Sequence, residues 1–65
     1  MNKIVLRLWS KFPFVEIIGN SIFFEIKGDY TTDQAKTMVN DANVTIYDIT
    51  KLDSEKSYSF FKGNI

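Results

Sequence analysis

One helix signature in a chain that otherwise reads as strand constrains this sequence most. It runs from Tyr30 to Asn43. Thr31 and Gln34 stand at capping-box spacing: the threonine hydroxyl can accept from the Gln34 amide while the Gln34 side chain reaches back to the Thr31 N–H. Asp33, in the first turn, complements the positive end of the helix dipole. Ala35, Met38, Val39 and Ala42 recur at i, i+3, i+4 and i+7, a single narrow apolar stripe. Gln34, Lys36, Thr37, Asn40 and Asp41 face the other way. Such a helix lies on another element by one side only, and a sheet is what the rest of the chain offers it.

The neighbouring segments alternate at period two. Lys3–Trp9 places Ile4, Leu6 and Leu8 on one face and Lys3, Val5, Arg7 and Trp9 on the other, the pattern of a half-buried strand. Pro13 interrupts, and Phe14–Ile18 resumes as a second strand. Gly19-Asn20 is a two-residue hairpin turn, with glycine supplying the positive φ that such turns need. That turn predicts a register: Ile18 opposite Ser21, Ile17 opposite Ile22, Glu16 opposite Phe23, Val15 opposite Phe24 and Phe14 opposite Glu25. One hairpin face is then Val15, Ile17, Ile22, Phe24 and Ile26, which is the core side. After the helix, Val44–Ile49 is a fourth strand, Thr50–Lys56 a mobile polar loop, Ser57–Lys62 a last strand and Gly63–Ile65 a frayed end. Strand 3, helix and strand 4 form a right-handed βαβ unit with those two strands parallel.

The expected fold is α+β: a single small two-layer domain over residues 1–65, in the order β-β-β-α-β-β. A four- to five-stranded, mostly antiparallel sheet carries one α-helix on one face. The first strand lies either beside the second or between the third and fourth.

Residue types narrow the chemistry. The 65 residues include no cysteine and no histidine. Thiolate zinc sites, thiol catalysis, imidazole ligands and Ser-His-Asp arrangements are therefore excluded. Eight basic and eight acidic residues cancel without forming runs, so neither a basic nucleic-acid footprint nor an acidic mimic is present. Asp48, Asp53 and Glu55 flank a loop, but their spacing is not that of a calcium loop. Glu16 and Glu25 sit on paired strands without a cleft to hold a sugar between them. Asn43-Val44-Thr45 matches a glycosylation sequon, which carries no meaning without a secretion signal. The expectation is a non-enzymatic protein with no cofactor and no metal. No segment approaches the length of a membrane span, and the expected location is the cytoplasm.

One feature bears on the origin of the gene and another on a partner. Phe, Tyr, Met, Ile, Asn and Lys make up 31 residues and Gly, Ala, Arg and Pro only seven, the bias of a low-GC genome, whether of a bacterium, a phage or a plasmid. A one-helix domain also leaves the far side of its sheet uncovered. By the alternation above, that side shows Arg7, Trp9, Phe14, Phe23, Tyr47 and Phe61, together with Val5, Ile18 and Ile49. So apolar a face exceeds what a monomer normally leaves in water, although coiling of the sheet with Phe12 and Tyr58 folded over would bury part of it. Trp9, Phe14, Phe23, Arg7, Tyr47 and Phe61 are the candidate partner-binding residues, since aromatics and arginine dominate binding hot spots. The expected function is a protein-binding module, a phage or mobile-element inhibitor that occludes a host polymerase, nuclease or defence complex, or else a homodimer. The strand-strand-helix-strand order is similar to that of small RNA-polymerase-associated proteins such as the epsilon subunit of low-GC bacteria. That resemblance implies an accessory subunit of a transcription complex. A single-stranded nucleic-acid-binding domain using the same face is the alternative from another class.

Overall fold

The computed structural model describes residues 3–65. Its elements are α1 (Lys3–Trp9), β1 (Phe14–Ile18), β2 (Ser21–Lys27), α2 (Thr32–Asp41), β3 (Tyr47–Ser54) and β4 (Tyr58–Asn64). The four strands form one antiparallel sheet in the order β1-β2-β4-β3. The class is α+β, as the sequence implies, with two helices where one was expected.

The helix α2 starts where its cap dictates. Thr31 is extended, its Oγ1 accepts from the Gln34 N–H at 3.1 Å, and Gln34 Oε1 accepts from the Thr31 N–H at 2.8 Å. At the other end Asn43 takes φ 59°, the left-handed conformation that asparagine tolerates, and its N–H donates to the Asn40 carbonyl. Ala35 and Val39 are buried, with Met38 and Ala42 packed beside them.

The β1–β2 hairpin has the expected register at all five pairs. Gly19 at φ 61° supplies the positive φ of its turn. Val15, Ile22, Phe24 and Ile26 are buried beneath the helices, and Ile17 is half-buried. Phe12 stacks on Phe24 at 5.3 Å between ring centroids, and Phe24 on Phe61 at 5.4 Å, so three aromatic rings run in series through the core.

Four expectations are corrected. Lys3–Trp9 is helix, not strand. Seven residues span less than two helical turns, and Ile4 and Leu8 satisfy both an i, i+4 and an alternating pattern. The helix buries Leu8, half-buries Ile4 and Val5, and exposes Leu6, which alternation would have placed inside. The strands flanking α2 do run parallel, but β4 lies between them and pairs antiparallel with each. The polar stretch Thr50–Ser54 is the second half of β3 and not a loop. The C-terminal Gly63 and Asn64 are ladder residues, and the Ile65 N–H donates to the Asn20 carbonyl at 3.0 Å.

The phase of the last two strands also departs from simple alternation. β4 pairs Ile26 with Ser59, Phe24 with Phe61 and Ile22 with Gly63, so Ser59, Phe61 and Gly63 face the core. Along β3 the register shifts between Tyr47 and Thr50 and again between Lys51 and Asp53. At the first shift Asp48 sits at φ 54°. A bulge moves every later side chain to the other face. Ile49, expected outside, is therefore half-buried among the core residues.

Candidate binding surface

Both helices lie on one side of the sheet. Leu8 of α1 belongs to the same buried cluster as Val39 of α2, and Arg7 Nη1 donates to the Asn43 carbonyl, just past α2, at 3.1 Å. The opposite side has no covering element among the described residues, and the ladder defines what stands on it. One row across the strands is Ile18, Ser21, Asn64 and Tyr47. The next is Glu16, Phe23, Lys62 and Thr50, and the third is Phe14, Glu25, Phe60 and Asp53. In the second and third rows aromatic side chains alternate with charged ones.

The alternation shapes the surface. Phe14 and Phe60 stack at 5.7 Å across the strand that separates them, above Glu25, which is half-buried as a result. Phe23 stands between Glu16 and Lys62 and is also half-buried. Towards the rim the apolar side chains open to solvent: Ile18 is 59% exposed and Tyr47 62%. Tyr58 donates its hydroxyl to Asp53 Oδ2 at 3.1 Å, and that bond to a carboxylate raises its pKa above the ordinary phenol value.

The six candidate residues fall into three places. Phe14, Phe23 and Tyr47 share the open face as expected. Trp9 is 57% exposed, but it stands on α1, outside that face, and Arg7 on the same helix is engaged with the end of α2. Phe61 is fully buried against Phe24 and cannot contact a partner. Its neighbour Phe60 takes the surface position. Phe60 went unseen because a Phe-Phe dipeptide suits either phase of a strand; only the pairing with Phe24 decides which ring turns inward.

A second polar cluster lies at the loop before α2. Asp29 Oδ1 accepts from Lys51 Nζ and from Ser54 Oγ, both at 3.0 Å. The Lys51 hydrogen bond first, then that from Ser54, lowers the Asp29 pKa below the usual aspartate value. This is the one ion pair among the described residues, and it joins the helix entry to β3. Among the described residues there is no concave pocket, and no three carboxylates gather as a metal site. No helix there is long and apolar enough to cross a membrane. Protein-family models, curated proteins and solved structures contain no match to this chain.

Proposed function

We propose that this chain is a non-enzymatic protein-binding module that acts by occlusion, laying its open sheet face on a larger protein. The observation that carries the reading is the face itself. Phe14, Phe23, Phe60, Ile18 and Tyr47 share one side of the sheet with no covering layer among the described residues. Exposed apolar patches rimmed by polar groups mark interaction sites, and aromatic anchors supply most of the energy there. Glu16, Glu25, Lys27 and Lys62 interleave with them and confer register and selectivity more than affinity. The amino-acid usage suits a low-GC genome, and the target in this reading is a polymerase, nuclease or defence complex of a low-GC bacterium, with the chain encoded by a phage or mobile element.

Lys27 and Lys62 beside Phe23, Tyr58 and Phe60 favour a second reading, a platform for single-stranded nucleic acid. The balanced charge, with Glu16 and Glu25 on the same face, weighs against it. Pull-downs from such a bacterium with the parent chain, Tyr47→Ser and Phe23→Ser separate the two. A protein held by the parent, lost with both variants and insensitive to salt supports occlusion. Capture of nucleic acid that fades steeply as salt rises supports the other reading. Capture indifferent to both substitutions removes the face from consideration.

A further inference from the structure

The two outer strands of the sheet differ in how they are protected. β3 has two register shifts, a left-handed Asp48, and Lys51 and Asp53 along its length. Bulges and charges of this kind blunt an edge against further pairing. β1 has no register shift and a single charged residue, Glu16, flanked on the open face by Phe14 and Ile18. Because Gly19-Asn20 closes the hairpin with Ile18 paired to Ser21, the ladder alternates from there. Phe14, Glu16 and Ile18 turn their backbone groups towards β2, whereas those of Val15 and Ile17 point away from the sheet.

The helix α1 adds a wall to this edge. It packs on β1, while α2 packs on β3. Arg7 reaches Asn43 past the end of α2, so its flank of α1 is turned inward. Trp9, two residues on, lies about 160° around the helix from Arg7, on the flank turned away from α2. Trp9, the one aromatic of the helix, is thus exposed on the flank away from α2.

We propose that the free edge of β1 is a strand-addition site for an extended segment of a partner protein. The segment carries a basic residue beside Glu16 and apolar residues two positions to either side, next to Phe14 and Ile18. This rests on the protein-binding reading above and names the chemistry of the partner. Main-chain bonds to Val15 and Ile17 supply affinity, and alternate side chains supply selectivity. The charge follows from the surroundings of Glu16: it has no ion-pair partner among the described residues, Glu25 lies on the next strand of the same face, and Phe23 separates Glu16 from Lys62. A cation is what this end of the face lacks. A second copy is the poorer occupant, since antiparallel pairing centred on Glu16 sets two carboxylates opposite each other.

The probe is a synthetic peptide, Ile-Thr-Lys-Thr-Ile, with a twin bearing glutamate at its centre. Trp9 is the sole tryptophan and reports by fluorescence, while NMR amide exchange reports on the edge. The lysine peptide is expected to shift Trp9 emission and slow exchange at Val15 and Ile17, and the glutamate twin to bind about tenfold more weakly, or worse. Glu16→Lys, at an exposed position, should reverse that order. Unchanged Val15 and Ile17 exchange at millimolar peptide overturns the proposal, as does a preference indifferent to Glu16→Lys. Protection that grows with protein concentration alone assigns the edge to a second copy and overturns it too. Loss of a captured partner in Tyr47→Ser alongside such a failure leaves the face reading standing. Peptide binding that survives while capture ignores Tyr47→Ser does the reverse.

Discussion

Ile46 occupies the space in which Gly63 would carry a side chain. A Cβ at Gly63 would collide with Ile46 Cγ2 and press on the Tyr47 carbonyl at 3.3 Å. Gly63 pairs with Ile22 on the core face, and the Asp48 bulge arches over it so that Ile46 and Ile49 close in from the edge. The missing side chain is therefore what lets β3 lean over the end of β4. Gly63→Ala should destabilise the fold by about 1–3 kcal/mol through overpacking, measured as a lower urea midpoint at unchanged slope. Gly19→Ala is the counterpart with open space around it, where only the positive φ resists the change. An unaltered midpoint for Gly63→Ala would mean that β3 does not close over β4 in this way.

Ser59 is the one buried polar side chain among the described residues, and both its bonds tie β4 to the helix entry. Its hydroxyl donates to the Gly28 carbonyl at 2.7 Å and accepts from the Tyr30 N–H at 2.8 Å. Ser59→Ala leaves those backbone groups without that partner and should cost about 1–3 kcal/mol. Ser57→Ala is the control. Ser57 serves the same turn only through its carbonyl, which accepts from the Gly28 N–H, so the change should stay within about 0.5 kcal/mol.

The capping box, the Gly19-Asn20 turn and the apolar face of the hairpin are local signals, each fixed by residues within a few positions of one another, and all three were legible. The place of β4 between β2 and β3 was not, because it depends on the pairing of β2 with β4, whose partners lie 31–43 residues apart. Thr50–Ser54 is polar because β3 is an edge strand, and polarity alone suggests a loop. Of the open sheet face, Phe14, Phe23 and Tyr47 were legible from the hairpin register and strand alternation. Phe60 was hidden by its neighbour, and Trp9 was displaced by a helix too short to declare its period.

The Asp29–Lys51 contact makes a prediction about pH. The folded-state pKa of Asp29 is lowered, so the ionised form is favoured by folding. Its contribution to stability is full above the unfolded aspartate pKa and is lost as pH falls through the lower folded value. Lys51→Met should move the NMR titration of the Asp29 carboxyl upward, towards the ordinary aspartate value. The contact is exposed, so salt should weaken the same shift in the parent chain. A titration indifferent to Lys51 would show that the pair does not persist in solution.

Phe60 and Phe61 are adjacent in sequence and stand on opposite faces of one strand, which gives the sharpest test of the open face. Phe61 is fully buried between Phe24 and the elements above it. Removing such a ring costs about 3–5 kcal/mol, and a domain of this size has only about 3–10 kcal/mol of total stability. Phe61→Ser should therefore unfold the chain or bring it to the edge of unfolding. Phe60 is half-buried, and its main aromatic contact is the stack with Phe14 on the open face. Phe60→Ser loses that pair and some partly buried area, about 1–2 kcal/mol, or roughly 4–16 °C in melting temperature. Paired thermal melts of the two variants decide the point. Comparable losses would mean that a layer covers the open face within one molecule, and the binding surface proposed on Phe14, Phe23 and Tyr47 would lose its footing.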